Sequence, residues 1–276
     1  MEKRSIQPII KWSGSKRSVA PALSTFITSA ECFYDPFVGG GAILPFRNAQ
    51  STIAGDVIPE LISLWKSIQS SPEEVAQGYQ DRWVRLQSEG YLVYYEIRDR
   101  FNSTRNPIDL LFLSRTCVNG LIRFNKDGNF NNSLHHTRPG ISPKSLQKIV
   151  HDWSCAIQNI KFVTADYKDT LKNAKEGDFV FLDPPYGGTR GRYIPKSFDL
   201  NEFYTELERL NSLNVHWLLT FDGHAGERTY SSTPPKELYK SHFYIATGKS
   251  PFTRLMGKSV DQIQESVYAN FKIPKH

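Results

Sequence analysis

The stretch Gly177-Asp178-Phe179-Val180-Phe181-Leu182 constrains this chain most, because four consecutive apolar residues follow a turn with nothing polar alternating between them. A strand of that composition is buried on both faces, the condition of a parallel sheet covered by helices on each side. Asp183-Pro184-Pro185-Tyr186 follows directly. Two prolines remove two backbone donors, stop the strand and hold the chain extended, so the carbonyls of Asp183 and Pro184 point elsewhere than into a ladder. A carboxylate beside fixed carbonyls is a site of acceptors alone, which suits an NH2 group with two hydrogens to place. Tyr186 adds a flat face for an aromatic ring. An exocyclic amine on a nucleobase meets both demands, and ligands of open α/β sheets bind at the carboxyl ends of strands, where the quartet stands. Taken alone, the four residues read equally well as a plain strand stop.

Other segments repeat the strand-then-acid pattern. Residues 32–37 read as a strand ending in Asp35-Pro36-Phe37, residues 38–42 as a glycine turn, and residues 43–48 as a helix. Gly39, Gly40 and Gly41 let the backbone turn tightly and let a ligand approach without a Cβ in the way. The spacing G-x-G-x-x-G is absent, so no pyrophosphate is specified, which argues against a nucleotide-dependent oxidoreductase. Residues 51–56 form a second strand closed by Asp56, a carboxylate placed to accept from both hydroxyls of a ribose. A strand over 160–164 leads to Asp166-Tyr167, an acid and a ring suited to an adenine's amino group and face. Residues 215–221 read as a strand before Asp222-Gly223-His224, and 242–247 with 266–273 as an antiparallel pair at the sheet's edge, joined by a basic loop around Arg254 and Lys258. Strands alternating with helices imply an α/β fold.

Between the second and third of these strands the pattern changes. Residues 60–68, 72–87 and 91–101 carry apolar residues at helical spacing, as an inserted helical segment would. Residues 110–118 read as a further helix packed against the sheet. Asn119-Gly120-Leu121-Ile122-Arg123-Phe124-Asn125 then runs into Lys126-Asp127-Gly128-Asn129-Phe130, where Asp127-Gly128 signals a two-residue hairpin turn. An amide-rich, basic, aromatic hairpin fits a DNA groove, with arginine for guanine, asparagine for adenine and a ring as a wedge. A hairpin that caps the core is the alternative.

A chain of 276 residues with 39% hydrophobic and 13% aromatic content buries a core without staples. No apolar run is long enough to cross a bilayer, and the brief one before Lys11 is too short for a signal peptide core, so a soluble, cytoplasmic protein is expected. Cys32, Cys117 and Cys155 lack paired or metal-type spacing, which fits a reduced compartment and points to buried packing for all three. His135-His136 has no carboxylate or cysteine at ligand spacing, so no metal is expected. The net charge of +6 permits an anionic partner, with basic residues gathered at 11–17, 115–126, 144–148, 190–196 and 236–258.

Four motifs in order carry a resemblance: Lys11-Trp12-Ser13-Gly14-Ser15-Lys16, Asp35-Pro36-Phe37-Val38-Gly39-Gly40-Gly41, Asn119-Gly120-Leu121-Ile122-Arg123-Phe124-Asn125 and Asp183-Pro184-Pro185-Tyr186. Together the chain is similar to the Dam-type (D12 class) DNA adenine-N6 methyltransferases. The resemblance implies a Rossmann-like S-adenosylmethionine-dependent methyltransferase sheet formed by residues 1–58 and 156–276, with a mainly helical target-recognition domain inserted at 59–155. It implies S-adenosylmethionine as methyl donor, held by Trp12, Lys16, Asp35, Phe37, Gly39, Gly41, Asp56, Asp166 and Tyr167, with Asp183 next to the sulfonium. Asp183, Pro184 and Tyr186 would act on an adenine flipped from duplex DNA, and Arg123, Phe124, Asn125, Lys126, Asn129, Arg190 and Arg192 would contact the DNA. The residues after the hairpin, Asn131-Asn132-Ser133-Leu134-His135, depart from the N-x-P-x-G stretch of enzymes acting on GATC, so no target sequence is carried over. A modification methylase with a cognate restriction endonuclease is as compatible as a solitary one. A cytosine-N4 methyltransferase obeys the same amine logic but more often carries serine where Asp183 stands. A protein or RNA methyltransferase would more often show asparagine there and lack the basic hairpin. A non-catalytic DNA-binding module would not need the intact quartet.

Overall fold

In the computed structural model, which describes residues 5–12, 14–137, 140–185, 198–225, 228–229, 233–249 and 262–273, the apolar run 179–182 lies at the centre of an eight-stranded sheet. The strands are β1 (Ala30–Asp35), β2 (Ala49–Asp56), β3 (Ile160–Thr164), β4 (Phe179–Leu182), β5 (His216–Ala225), β6 (Arg228–Thr229), β7 (Ser241–Lys249) and β8 (Gln262–Ala269). Seven of them run in the order β3-β2-β1-β4-β5-β8-β7, and β6 pairs with β5. The first five in that order are parallel, and β8 is antiparallel to both β5 and β7. This is the Rossmann-like α/β sheet expected from the sequence. The order reverses between β1 and β4, so their carboxyl ends open a crevice at Asp35 and Asp183.

Both faces of β4 are covered, as its composition requires. Phe179 and Phe181 pack with Leu23, Phe33 and Leu218 around α1 (Ala20–Ser24), while Val180 and Leu182 pack with α7 (Tyr167–Leu171) and α8 (Leu200–Ser212). Among the described residues no helix is long and apolar enough to cross a membrane.

Helices α2 (Pro59–Ser70), α3 (Pro72–Glu89), α4 (Leu92–Thr104), α5 (Pro107–Thr116) and α6 (Pro143–Ala156) intervene between β2 and β3. Their core is continuous with the sheet, because Trp65 of α2 stacks on Phe162 of β3 at 5.8 Å and meets Trp153 of α6 edge-on at 4.9 Å. Burial of a tryptophan with such partners is worth about 3–5 kcal/mol against alanine. Helix α5 does not lie on the sheet as its apolar sequence suggested. It packs among α2, α3 and α4, with Leu110, Leu111, Phe112 and Leu113 all buried, as a helix apolar on every side must. Its fully buried Asp109 binds Arg82 at 2.6 Å and Arg100 at 2.6 Å, since an ionised carboxylate is tolerated inside only when paired.

Three further expectations change. Residues 43–48 make only a 3-10 turn, Leu44–Phe46, because Pro45 and the short run to Ala49 leave no length for a helix. Cys155 is exposed on α6 with its Sγ 3.7 Å from His151 Nε2, and Cys32 is half-buried, so only Cys117 is a packed core thiol. Arg115, from one of the basic clusters, is buried and donates to the carbonyls of Ile9 and Pro8, tying the N-terminal segment to α5.

Candidate active site

Asp183 leaves β4 with its two carboxylate oxygens in different surroundings. Oδ1 receives the Lys16 ammonium at 2.8 Å and the Thr220 hydroxyl at 3.0 Å, whereas Oδ2 takes no described hydrogen bond. Lys16 also reaches Glu265 Oε1 at 2.7 Å and donates to the Gly14 carbonyl at 3.1 Å. Its ammonium is thus shared between two carboxylates and a backbone carbonyl, and Lys16 borders the same cavity as the residues expected to hold the cofactor. Burial alone would lower the Lys16 pKa, but the two carboxylates carry it above its ordinary value. Burial pushes the Asp183 carboxyl up to about 6, with the charge of Glu265 adding and Lys16 and Thr220 opposing.

Asp35, at the end of β1, is 2% exposed and its Oδ1 has no hydrogen-bond partner. Burial drives its pKa well above the usual carboxylate range, and the charges of Asp183 and Asp56 push the same way against the Phe37 amide. A buried oxygen with no donor is a rare feature in a folded protein and marks a place for one to arrive.

The glycine turn is held from three sides. Asp56 Oδ2 accepts from the Gly39 amide at 3.1 Å and Oδ1 from the Ile58 amide at 3.1 Å, while burial raises its pKa to about 6. Gly39 and Gly41 sit at φ 43° and 68°. A Cβ on Gly39 would fall 2.6 Å from Trp12 Nε1, and one on Gly41 would fall 2.9 Å from Trp65 Cζ2. The two tryptophans packed against the turn therefore require glycine at both positions. Trp65 completes the clamp by donating to the Gly39 carbonyl at 3.1 Å.

Across the crevice Asp166 caps α7 by accepting the Asp169 amide at 2.9 Å. The Tyr167 ring is buried, stacked on Phe37 at 5.6 Å and 27° and flanked by Phe198 and Phe203. Phe37 is the more open of the pair.

The hairpin turns on three residues, not two. The Gly128 amide bonds the Asn125 carbonyl at 3.0 Å and the Asn125 amide bonds the Asn129 carbonyl at 2.8 Å, so the loop is 126–128 with Gly128 at φ 75°. This is a type I turn followed by a left-handed glycine. Asn125 Oδ1 accepts the amides of Asp127 and Asn129, each at 2.9 Å, which commits that side chain to the turn. The Phe124 ring is half-buried against Phe130 at 6.0 Å and Phe101 at 6.4 Å, so it supports the hairpin rather than standing free as a wedge. Arg123 is exposed, with Nε on Asn131 Oδ1 at 2.9 Å, and Lys126 is exposed at the tip. Arg105 fastens the turn to α2, donating to the Gly128 carbonyl at 2.8 Å and lying 3.6 Å from Glu60.

One cavity of about 1670 Å³ joins these parts. Trp12, Lys16, Asp35, Phe37, Gly39, Gly41, Asp56, Asp166, Tyr167 and Asp183 all border it, as do Pro184, Phe124, Asn125 and Lys126. Arg123 and Asn129 do not line it, and Tyr186, Arg190 and Arg192 lie outside the described residues. Single small-ligand sites run to about 1,000 Å³, so this one has room for a cofactor and a nucleotide together. Sequence reasoning missed Glu265 and Thr220. Thr220 is the one polar residue in Trp217-Leu218-Leu219-Thr220-Phe221, a signal that was available; Glu265 lay just outside the expected strand.

A buried carboxylate at the switch point of a Rossmann-like sheet thus shares one large cavity with a glycine turn and a hairpin carrying Lys126, the arrangement of a nucleotide-handling α/β enzyme. The chain belongs to the D12 class N6 adenine-specific DNA methyltransferases, whose family model matches residues 12–251. It is 28% identical to the Retron Ec67 DNA adenine methylase of Escherichia coli over 252 residues, 88% of this chain and 84% of that protein. A type II methyltransferase of Lactococcus lactis subsp. cremoris is 27% identical over 194 residues, 67% of each chain. The DNA adenine methylase of Salmonella typhi is 28% identical over 182 residues, 64% of each. The protein is thus an adenine-specific DNA methyltransferase, and both the cytosine-N4 and the non-catalytic alternatives fall away.

Proposed function

We propose that the cavity takes S-adenosylmethionine along the β1–β2 side and a flipped adenine at Asp183, and transfers the methyl group directly to N6. The division of Asp183, Oδ1 held by Lys16 and Thr220 and Oδ2 left open, carries this reading. The donor and acceptor set suits the cofactor: the orphaned Asp35 Oδ1 matches an α-ammonium, Asp56 keeps lone pairs for ribose hydroxyls beyond its two backbone bonds, and Phe37 with Asp166 suits an adenine's face and amine.

An adenine amine is a poor nucleophile because its lone pair is delocalised into the ring. Oδ2 of Asp183 accepts one N6 hydrogen and the Pro184 carbonyl the other, which localises the pair on nitrogen. When bound, S-adenosylmethionine supplies an electrophilic methyl carbon whose bond to sulfur breaks, its electron pair going to sulfur, as the nitrogen pair forms the new bond. The proton shed by N6 passes to Oδ2. Rate comes from positioning and fixed charge, without a covalent protein intermediate. Extruding the base costs about a few kcal/mol, and stacking on Tyr186 offsets part of it. Arg123 and Lys126 contact the duplex from the hairpin, Asn129 with Phe124 and Asn125 holds its shape, and Arg190 and Arg192, which follow the quartet in sequence, contribute positive charge toward the DNA.

We place the DNA-reading segment at 59–155 and the enzyme in the cytoplasm as the modification half of a pair with a restriction endonuclease, in keeping with its likeness to a type II methyltransferase. Unmethylated genomic DNA treated with the protein and S-adenosylmethionine, then sequenced with modified-base detection, tests the reaction. N6-methyladenine in one short context supports it, and methylation without a fixed context defeats site specificity. Calorimetric titration of S-adenosylmethionine without DNA tests the cofactor, and no heat of binding defeats that assignment.

A further inference from the structure

An ammonium beside a lone carboxylate is free to bridge both oxygens or to swing between them. The Lys16 ammonium is instead shared, lying 2.8 Å from Asp183 Oδ1 and 2.7 Å from Glu265 Oε1 and donating to the Gly14 carbonyl at 3.1 Å. Glu265 is only 8% exposed and comes from β8, which joins β5 where the register slips between Thr220 and Gly223. The irregularity brings two polar side chains of neighbouring strands to one carboxylate, Thr220 directly and Glu265 through Lys16.

We propose that Glu265 is a positioning residue for methyl transfer, holding the Lys16 ammonium on Oδ1 so that Oδ2 of Asp183 stays open to the adenine amine. Glu265 also shares the cation, so Asp183 is less neutralised and remains a stronger acceptor. Among the described residues the charged groups facing Asp183 are Lys16 from the N-terminal segment, Glu265 from β8 and Asp35 from β1, with the Thr220 hydroxyl from β5. Removing Glu265 leaves Lys16 to close on both oxygens and lowers the Asp183 pKa; removing the Thr220 donor raises it.

The inference rests on Asp183 as amine acceptor, and the test separates the two claims. Single-turnover methylation of plasmid DNA from a methylation-deficient host is followed from about pH 5 to about pH 9. Glu265→Gln should lower the plateau on the order of tenfold, the worth of one charge-assisted hydrogen bond, and move the acid limb to lower pH. Thr220→Val should move that limb to higher pH. Opposed shifts are not what a general loss of packing gives. A wild-type plateau with an unmoved limb in Glu265→Gln, or shifts of the same sign in both variants, overturns the proposal. If circular dichroism shows Glu265→Gln unfolded, Glu265→Asp keeps the charge on a shorter arm and should still lower the plateau; full activity there also overturns it. Transfer by Asp183→Asn at the wild-type rate would instead remove the reading beneath.

Discussion

Asp35 and Asp183 stand at the carboxyl ends of β1 and β4, hydrogen-bonded neighbours on either side of the point where the strand order reverses, and the charge of Asp183 helps to keep the proton on Asp35. Two carboxylates facing one crevice cannot behave alike. Asp183 has a cation and a hydroxyl on one oxygen, while Asp35 has an oxygen with no donor at all. That asymmetry is the ground for the proposed division, Asp183 for the substrate amine and Asp35 for a cation that arrives with the cofactor.

The form of Asp183 that keeps Oδ2 as an acceptor for the amine while Oδ1 holds Lys16 and Thr220 is the carboxylate, and burial has raised its pKa to about 6. Activity should therefore hold above about pH 6 and fall roughly tenfold per pH unit below it. A carboxyl at its ordinary value of about 3.9 would keep the enzyme active two units further down. The pH profile of kcat under saturating DNA decides, and a flat rate down to about pH 4 would exclude this group as the acceptor. Asp183→Ala should cost on the order of 10³-fold in transfer rate at pH 7.5.

Asp35 carries a stability cost with the opposite sign to a salt-bridged acid. Its folded pKa lies above its unfolded one, so the cost is absent below the unfolded value, where both states hold the proton, and reaches its full size as pH rises through the folded value. Asp35→Asn should raise the melting temperature of the ligand-free protein at pH 7.5 and narrow the gain as the pH is lowered toward 4. The same variant should weaken S-adenosylmethionine binding on the order of tenfold or more, because the ammonium loses its charged acceptor. Thermal melts and calorimetry measure both, and unchanged affinity would remove Asp35 from the cofactor site.

What could be read from the chain and what could not divides along physical lines. Strand ends at Asp35, Asp56 and Asp183 were legible because buried parallel strands leave continuous apolar runs and the acids that close them have no packing role. Helix α5 was legible as a helix, but its neighbours were not, since an apolar run says that it is buried without saying by what. The loop length of the hairpin depended on Gly128 taking a left-handed conformation as a third residue, which the Asp127-Gly128 pair signals only ambiguously. Trp65 and Glu265 were invisible as site residues because each reaches the crevice from an element distant in sequence.

The glycine turn is tested by adding one carbon. Gly39 combines φ 43° with a Trp12 ring that would lie 2.6 Å from a new Cβ, so strain and overlap act together. Gly39→Ala should destabilise the protein by about 1–3 kcal/mol and shift the tryptophan emission as Trp12 is displaced. Gly90 has φ 89° but nothing within 4 Å, so Gly90→Ala should show the cost of backbone strain alone. Denaturant unfolding of both compares them, and equal losses would mean that Trp12 does not rest on the turn.

Arg123 and Asn125 lie two residues apart in the hairpin and should fail in different ways. The Arg123 side chain is exposed and gives only its Nε to Asn131, so its outer nitrogens remain available to a base edge. Arg123→Ala should cost about 1–3 kcal/mol of discrimination between target and unrelated duplex while leaving the melting temperature unchanged. Asn125 Oδ1 instead closes the turn on the amides of Asp127 and Asn129. Asn125→Ala should free both amides, raise their hydrogen exchange and weaken binding to target and unrelated duplex alike, because the tip that carries Lys126 is no longer fixed. Competition binding against the two duplexes at one stated salt concentration separates these outcomes. If Asn125→Ala erases discrimination while its turn amides stay protected, the asparagine reads a base after all.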